Sequence, residues 1–122
     1  MEHKEYFLEK KTMAFAGRMT RMYQYLNTTR HEYTMSKQVF RSGTSIGANI
    51  AESKYAQSTP DFVSKLSIAL KEANETLYWI DNLYCSNYLN DDEYESIHKD
   101  CEEIIKLLVT SVKTAKQKMG RP

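Results

Sequence analysis

The chain has 122 residues, of which 41% are hydrophobic and 27% are charged, and its net charge at pH 7 is +1. These values are typical of one ordinary globular domain that is long enough for a real core. No run of 18 apolar residues is present, so we expect no membrane partner. We predict a single domain over residues 1–122 and, because no signal-peptide core follows the polar N-terminus, a cytoplasmic location.

Residues from about 3 to 28 predict the first helix. Its inward stripe has spacings of four and three and consists of Leu8, Thr12, Phe15, Met19, Met22 and Leu26. Four cations lie mostly off this stripe and are expected to face water: Lys10, Lys11, Arg18 and Arg21. Turn formers over residues 27–34 predict the first loop.

The second helix is predicted over about 35–56, with Thr34 as its N-cap. It carries Gly43, Gly47 and Ala51 at intervals of four, which gives one face almost no side chain. A glycine inside a helix costs about 1 kcal/mol relative to alanine, and close approach of another backbone is the usual compensation. We therefore expect these three residues to pack tightly against a neighbouring helix.

The third and fourth helices are predicted over about 60–86 and 91–119. Ser58 followed by Pro60 predicts the start of the third helix, and Asn90 followed by Glu93 predicts a capping box for the fourth. The predicted inward face of the third helix is Phe62, Leu66, Ala69, Ala73, Leu77, Ile80 and Tyr84. Four long helices joined by short loops predict an all-α fold, an up-down-up-down antiparallel four-helix bundle.

A polar line crosses the predicted interface between the second and third helices. Its members are Arg41, Ser45, Asn49 and Glu52 on one helix and Glu72 and Glu75 on the other. In an antiparallel pair, Arg41 can reach one glutamate, and Ser45 or Asn49 can bond the other. Three interpretations stay open: an internal network that fixes helix register, part of a subunit interface, or a ligand site.

Charge is unevenly distributed along the chain. The balance is +4 over residues 1–60, −8 over 61–105 and +5 over 106–122. Two basic clusters on the first and fourth helices can bind RNA or DNA through phosphates: Lys10, Lys11, Arg18, Arg21, Lys106, Lys113, Lys116, Lys118 and Arg121. The alternative is a solvated surface on a fourth helix whose acidic start and basic end complement its macrodipole.

Nothing in the sequence indicates catalysis. A di-metal helical bundle needs two Glu-x-x-His pairs, and the chain has one, Glu95 to His98. Cys85 and Cys101 lack metal-type or redox-type spacing. We predict no enzyme activity, no catalytic or metal-binding residue and no cofactor. Six tyrosines off the apolar stripes favour self-association or a protein partner instead: Tyr23, Tyr25, Tyr33, Tyr55, Tyr78 and Tyr88.

The segment from Arg41 to Glu52, Arg-Ser-Gly-Thr-Ser-Ile-Gly-Ala-Asn-Ile-Ala-Glu, resembles the signature of a known family. These are the four-helix-bundle proteins named for 23S rRNA intervening sequences, also called S23 ribosomal proteins. The resemblance continues at Asp61-Phe62 and through residues 68–80, and it covers the fourth helix in pattern only.

The resemblance implies a bundle that assembles into ring-like homopentamers and has no assigned enzymatic activity. Relatives include the accessory variability protein of diversity-generating retroelements, which partners a reverse transcriptase and binds nucleic acid. The expected function is therefore that of a non-catalytic, self-associating accessory or adaptor protein. The alternative is a nucleic-acid-binding accessory factor that uses the two basic clusters.

Overall fold

The computed structural model describes residues 3–120. Its four helices are α1 (His3–Thr28), α2 (Met35–Ser53), α3 (Thr59–Cys85) and α4 (Asp91–Met119). Each helix packs against the next along the chain, and α1 also meets α4, so the four close into a bundle. This confirms the predicted all-α four-helix fold.

The apolar stripes of all four helices meet in one core. Phe15 and Met19 of α1, Ile46 of α2, Ile80 of α3 and Leu108 of α4 are each at most 2% exposed. Burying side chains of this size stabilises the fold by about 1.5–3 kcal/mol each.

The predicted inward face of the third helix is partly wrong. Phe62, Leu77 and Tyr84 are only half-buried, whereas Thr76 and Leu83 are fully buried. A threonine can occupy the core here because its hydrogen bonds are satisfied. The Thr76 hydroxyl donates to the carbonyl oxygen of Glu72 at 2.7 Å and lies 2.9 Å from the buried hydroxyl of Ser42.

The starts of α3 and α4 confirm the predicted caps. The Ser58 hydroxyl accepts a hydrogen bond from the Asp61 backbone N–H at 3.2 Å. Asn90 and Glu93 form a reciprocal capping box, with both side-chain to backbone distances at 2.8 Å. These bonds satisfy N–H groups that have no partner within the helix.

The predicted cap of α2 is wrong, because Thr34 makes no side-chain cap hydrogen bond. The carboxylate of Glu32 takes that role and accepts from the backbone N–H groups of Thr34, Met35 and Ser36 at 3.1, 3.0 and 2.7 Å. Glu32 is only 7% exposed, so this cap is a buried charge held by three donors.

The second helix also ends earlier than predicted, at Ser53 instead of residue 56. The N–H groups of Tyr55 and Ala56 reach back three residues, to the carbonyls of Glu52 and Ser53 at 3.0 and 3.2 Å. This is the tighter 3₁₀ pattern that commonly finishes a helix.

Arg30 joins the two loops at one end of the bundle. Its guanidinium donates to the backbone carbonyls of Asn87 at 2.7 Å and Tyr88 at 3.2 Å, and it lies 5.6 Å from the centre of the Tyr88 ring. These hydrogen bonds connect the loop between α1 and α2 to the loop between α3 and α4.

Candidate interaction surfaces

The glycines of α2 face α1. A Cβ atom added at Gly43 would overlap the side chain of Met19, and one added at Gly47 would lie 3.3 Å from the carbonyl oxygen of Thr12. The third member, Ala51, is half-buried one turn further along. The missing side chains therefore allow the two helices to approach closely, as the spacing predicts.

The structure places Arg41 beside both predicted glutamates. Its Nη2 donates to Glu75 Oε1 at 2.7 Å, and its Nη1 lies 3.6 Å from Glu72 Oε2. Burial raises the pKa of the Glu72 carboxyl, and the neighbouring Glu75 raises it further, while Arg41 opposes the shift. The cluster contains two carboxyl groups and one guanidinium, so it retains capacity for another cation or for a proton.

Ser45 and Asn49 do not reach these glutamates. The Ser45 hydroxyl donates to the Arg41 carbonyl at 2.7 Å, and the Asn49 amide donates to the Ser45 carbonyl at 2.9 Å. Glu52 instead pairs with Lys65 of α3 at 3.3 Å. The expected bond from Ser45 or Asn49 to a glutamate is therefore wrong, because short polar side chains on a helix readily bond their own preceding turn.

These residues form a solvent-facing surface, which we call the α2–α3 face: Arg41, Ser45, Ala48, Asn49, Glu52, Ile68, Glu75 and Trp79. Residues 42–51 of α2 contain no charged side chain. Ile68 is 39% exposed, and the neighbouring Tyr78, which is 60% exposed, packs edge-on against Trp79 with ring centroids 5.0 Å apart.

Two buried side-chain atoms beside the α2–α3 face lack hydrogen bonds. Glu72 Oε2 and Trp79 Nε1 are buried, and neither has a hydrogen-bond partner among the described residues. Native structures leave few buried polar atoms unpaired, so each one calls for an explanation.

Two of the predicted nucleic-acid-binding cations are engaged within the bundle. Lys11 Nζ lies 2.7 Å from Glu103 Oε2, and Arg18 Nη1 lies 2.6 Å from Asp100 Oδ2. Arg18 also donates to the hydroxyl of Ser96 at 2.9 Å. The expectation that Lys11 and Arg18 face water is therefore wrong: they form the polar contact between α1 and α4, which the sequence did not predict.

The remaining cations of the two clusters are spread along the bundle. Among the described residues, no ion pair involves Lys10, Arg21, Lys106, Lys113 or Lys116, and Lys10 lies 5.3 Å from the centre of the Tyr6 ring. Lys118 lines a groove of about 520 Å³ beside Lys54 and Phe62. Arg121 lies outside the described residues.

The two clusters do not merge into one surface. Because Arg18 pairs with Asp100, Arg21, one turn further along α1, lies level with the acidic first turns of α4 along the bundle axis. Lys113 and Lys116 lie toward the opposite end of α4. Along the bundle axis, only the early part of α1, near Lys10, lies at the same height as the basic half of α4.

A cluster of ionisable side chains that the sequence did not predict joins α3 to α4. The rings of Tyr84 and Tyr94 stack with centroids 4.0 Å apart, and the Tyr94 hydroxyl donates to Asp81 at 2.7 Å. This bond raises the pKa of Tyr94 to about 12. His98 Nδ1 lies 3.1 Å from Glu102. Among the described residues, no three His, Cys, Asp or Glu side chains are placed to hold a metal ion.

The two cysteines occupy different environments. Cys85 is exposed, whereas Cys101 is buried and its thiol lies 3.4 Å from the carbonyl oxygen of Ala73. Burial raises the pKa of Cys101 to about 12, so its sulfur is held as a thiol. Of the helices in the described part of the chain, none is long and apolar enough to cross a membrane.

The chain is similar to proteins of one family. Residues 4–110 match the model of the 23S rRNA-intervening sequence protein family. A crystal structure of a protein of unknown function from the S23 ribosomal protein family of Bacteroides thetaiotaomicron superposes with a TM-score of 0.89 and is 49% identical. That match covers 90% of this chain and 98% of the other. No curated protein is significantly similar in sequence. The chain therefore belongs to the 23S rRNA-intervening sequence protein family.

Proposed function

We propose that this protein is a non-catalytic adaptor of the cytoplasm that works by binding copies of itself. The observation that carries the proposal is the composition of the α2–α3 face. Ten successive residues of α2, 42–51, are uncharged, although Ala48 is exposed and Thr44, Ser45 and Asn49 are partly exposed. The centres of protein interfaces are depleted in charge and enriched in aromatic residues, and this surface includes Trp79, with Tyr78 packed against it.

The side chains with the most reactive groups form contacts within the bundle, which supports an adaptor function over an enzymatic one. The Cys101 thiol is buried against Ala73, and the Tyr94 hydroxyl is fixed by Asp81. The Arg41 guanidinium is shared between Glu72 and Glu75. Each of these groups stabilises contacts between helices.

The solution mass of the purified chain tests the proposal. We expect one defined oligomer of the 14.3 kDa chain in analytical ultracentrifugation, and the family resemblance favours five copies. Its mass should stay constant over a wide range of protein concentration at moderate salt. A monomer at every concentration would reject the proposed function.

A second candidate function is nucleic-acid binding through the basic half of α4. It is favoured by Lys106, Lys113 and Lys116, which are exposed and form no ion pair with a described residue. The test is binding of the purified protein to labelled RNA and DNA at low and moderate salt. Binding that weakens steeply with salt and is lost in a Lys106→Glu, Lys113→Glu variant would promote this candidate. Absence of binding by a defined oligomer would leave protein partners as the ligands.

A further inference from the structure

We propose that the α2–α3 face binds the outer surface of α1 from a second copy of this chain. The α1 outer surface consists of Tyr6, Lys10, Met13, Gly17 and Arg21, which share one side of the helix. This inference rests on the proposed self-association and names the two surfaces that meet. Each copy would present a different surface to each of its two neighbours.

The α1 outer surface presents apolar side chains to solvent. Met13 is 70% exposed and Tyr6 is 53% exposed, and the two are seven residues apart on the same side of the helix. At the next position on that side, Gly17 leaves a hollow, because a Cβ added there would meet only Arg21 Nη1, at 3.5 Å. The surface therefore offers projecting side chains next to a shallow depression, which suits packing against another helix.

The α2–α3 face has the complementary shape. Ser45 and Ala48 are small, so another helix can come close to α2 there. Ile68 of α3 is 39% exposed and provides apolar area beside them. Methionine adapts well to such a surface because its side chain is flexible and polarisable.

Charge is complementary at the Arg41 end of the proposed contact. Lys10 and Arg21 are eleven residues apart, which corresponds to roughly 16 Å along α1. Arg41 and Glu52 are also eleven residues apart, and Glu75 is paired with Arg41. One of the two cations can therefore face the Arg41 end, where Glu72 and Glu75 share a single guanidinium, whereas Glu52 at the other end already pairs with Lys65. Such ion pairs at the rim of an interface fix orientation more than affinity.

Two buried atoms without hydrogen bonds belong to residues beside the surface that the second copy would cover. Glu72 Oε2 and Trp79 Nε1 have no hydrogen-bond partner among the described residues. Glu72 belongs to the cluster in which two carboxyl groups share Arg41. This cluster has one more carboxyl group than guanidinium groups. A cation from the neighbouring copy would pair with the additional carboxyl group.

The two surfaces lie on different sides of the bundle, so the contact is heterologous. Met13 follows Glu9 by one turn of α1, and Glu9 pairs with Lys54 of α2 at 2.6 Å, which places Met13 toward the α2 side. The α2–α3 face is the next side of the bundle. Repeated contacts of this kind form a ring where the rotation between copies closes and a helical filament where it does not.

Two single variants test this arrangement: Met13→Glu disables the α1 outer surface, and Ala48→Glu disables the α2–α3 face. Both positions are exposed, so we expect both variants to fold, as checked by circular dichroism and urea unfolding. Each variant alone should be a monomer in ultracentrifugation. An equimolar mixture should form a dimer and nothing larger, because one intact contact remains between unlike variants. Val109→Glu, another exposed apolar position on a different side, is the matched control and should keep the wild-type mass.

The possible outcomes separate this inference from the proposed function. Persistence of the wild-type oligomer in both variants would overturn the assignment of surfaces and leave self-association standing. Monomeric variants whose mixture stays monomeric would also overturn the pairing of these two surfaces. A monomeric wild-type protein would reject self-association and this inference together.

Discussion

Gly47 of α2 lies directly against the backbone of α1, where a Cβ atom at position 47 would be 3.3 Å from the Thr12 carbonyl oxygen. Backbone cannot move aside as a flexible side chain can, so this contact fixes how closely the two helices pack. Nearby, Gly43 faces the Met19 side chain, which has more freedom to adjust.

Gly47→Leu should therefore force α1 and α2 apart. We expect the free energy of unfolding to fall by about 1–3 kcal/mol or more, the usual cost of overpacking a close contact. Urea unfolding followed by circular dichroism measures the change. Ala14→Leu, which adds a leucine at an exposed helical position, is the control and should have little effect. Unchanged unfolding of the Gly47 variant would contradict the close-packing role.

Glu32→Ala should destabilise the start of α2. The substitution leaves three backbone N–H groups without their buried acceptor, and loss of a helix cap costs about 0.5–2 kcal/mol. Thr34→Ala is the matched control, because the Thr34 side chain makes no cap hydrogen bond. If the two variants unfolded at the same urea concentration, the assignment of Glu32 as the cap would be wrong.

Glu72 should make stability depend on pH. Because its folded pKa is raised, the folded chain binds a proton more tightly than the unfolded chain. Its contribution should therefore become less favourable as the pH rises from the unfolded pKa through the folded pKa. Glu72→Gln should flatten this part of the curve, measured by urea unfolding at a series of pH values. Glu95→Gln, at an exposed position of α4, should retain the wild-type slope.

The Arg18–Asp100 pair should contribute a small, salt-sensitive stabilisation. Both side chains are about one-third exposed, and exposed ion pairs are worth about 0.2–1 kcal/mol. A double-mutant cycle with Arg18→Met and Asp100→Asn measures the coupling, which should shrink in high salt. A coupling of zero at low salt would show that this pair does not hold α1 against α4.

The fold could be predicted because its signals are local. The heptad stripe of α1, the cap at Ser58 and the Asn90–Glu93 box each depend on residues within one or two turns. The cap at Glu32 could not be predicted in the same way. It depends on a loop in which His31 adopts a φ of 54°, and no common capping pattern places a glutamate there.

The polar contacts were only partly predictable. Antiparallel pairing of α2 and α3 brings Arg41 to the glutamates because its side chain is long enough to cross between helices. Periodicity places Lys11 and Arg18 on a flank of α1, but it cannot show which residues of α4 lie opposite. Asp100 and Glu103, three residues apart on the flank of α4, are the acidic residues that could have been proposed as partners. Whether they face Lys11 and Arg18 depends on how α1 and α4 are rotated about their own axes.

The Arg30 bridge makes the two ends of the bundle unequal. Where Arg30 binds the carbonyls of Asn87 and Tyr88, the first and second helical hairpins are fastened together. At the opposite end, α4 finishes in solvent, with Met119 44% exposed. Amide hydrogens should therefore exchange with deuterium first in the last turns of α4 and last in the buried turns toward the Arg30 end. The motions available to this protein would then be concentrated at the end that carries its basic residues.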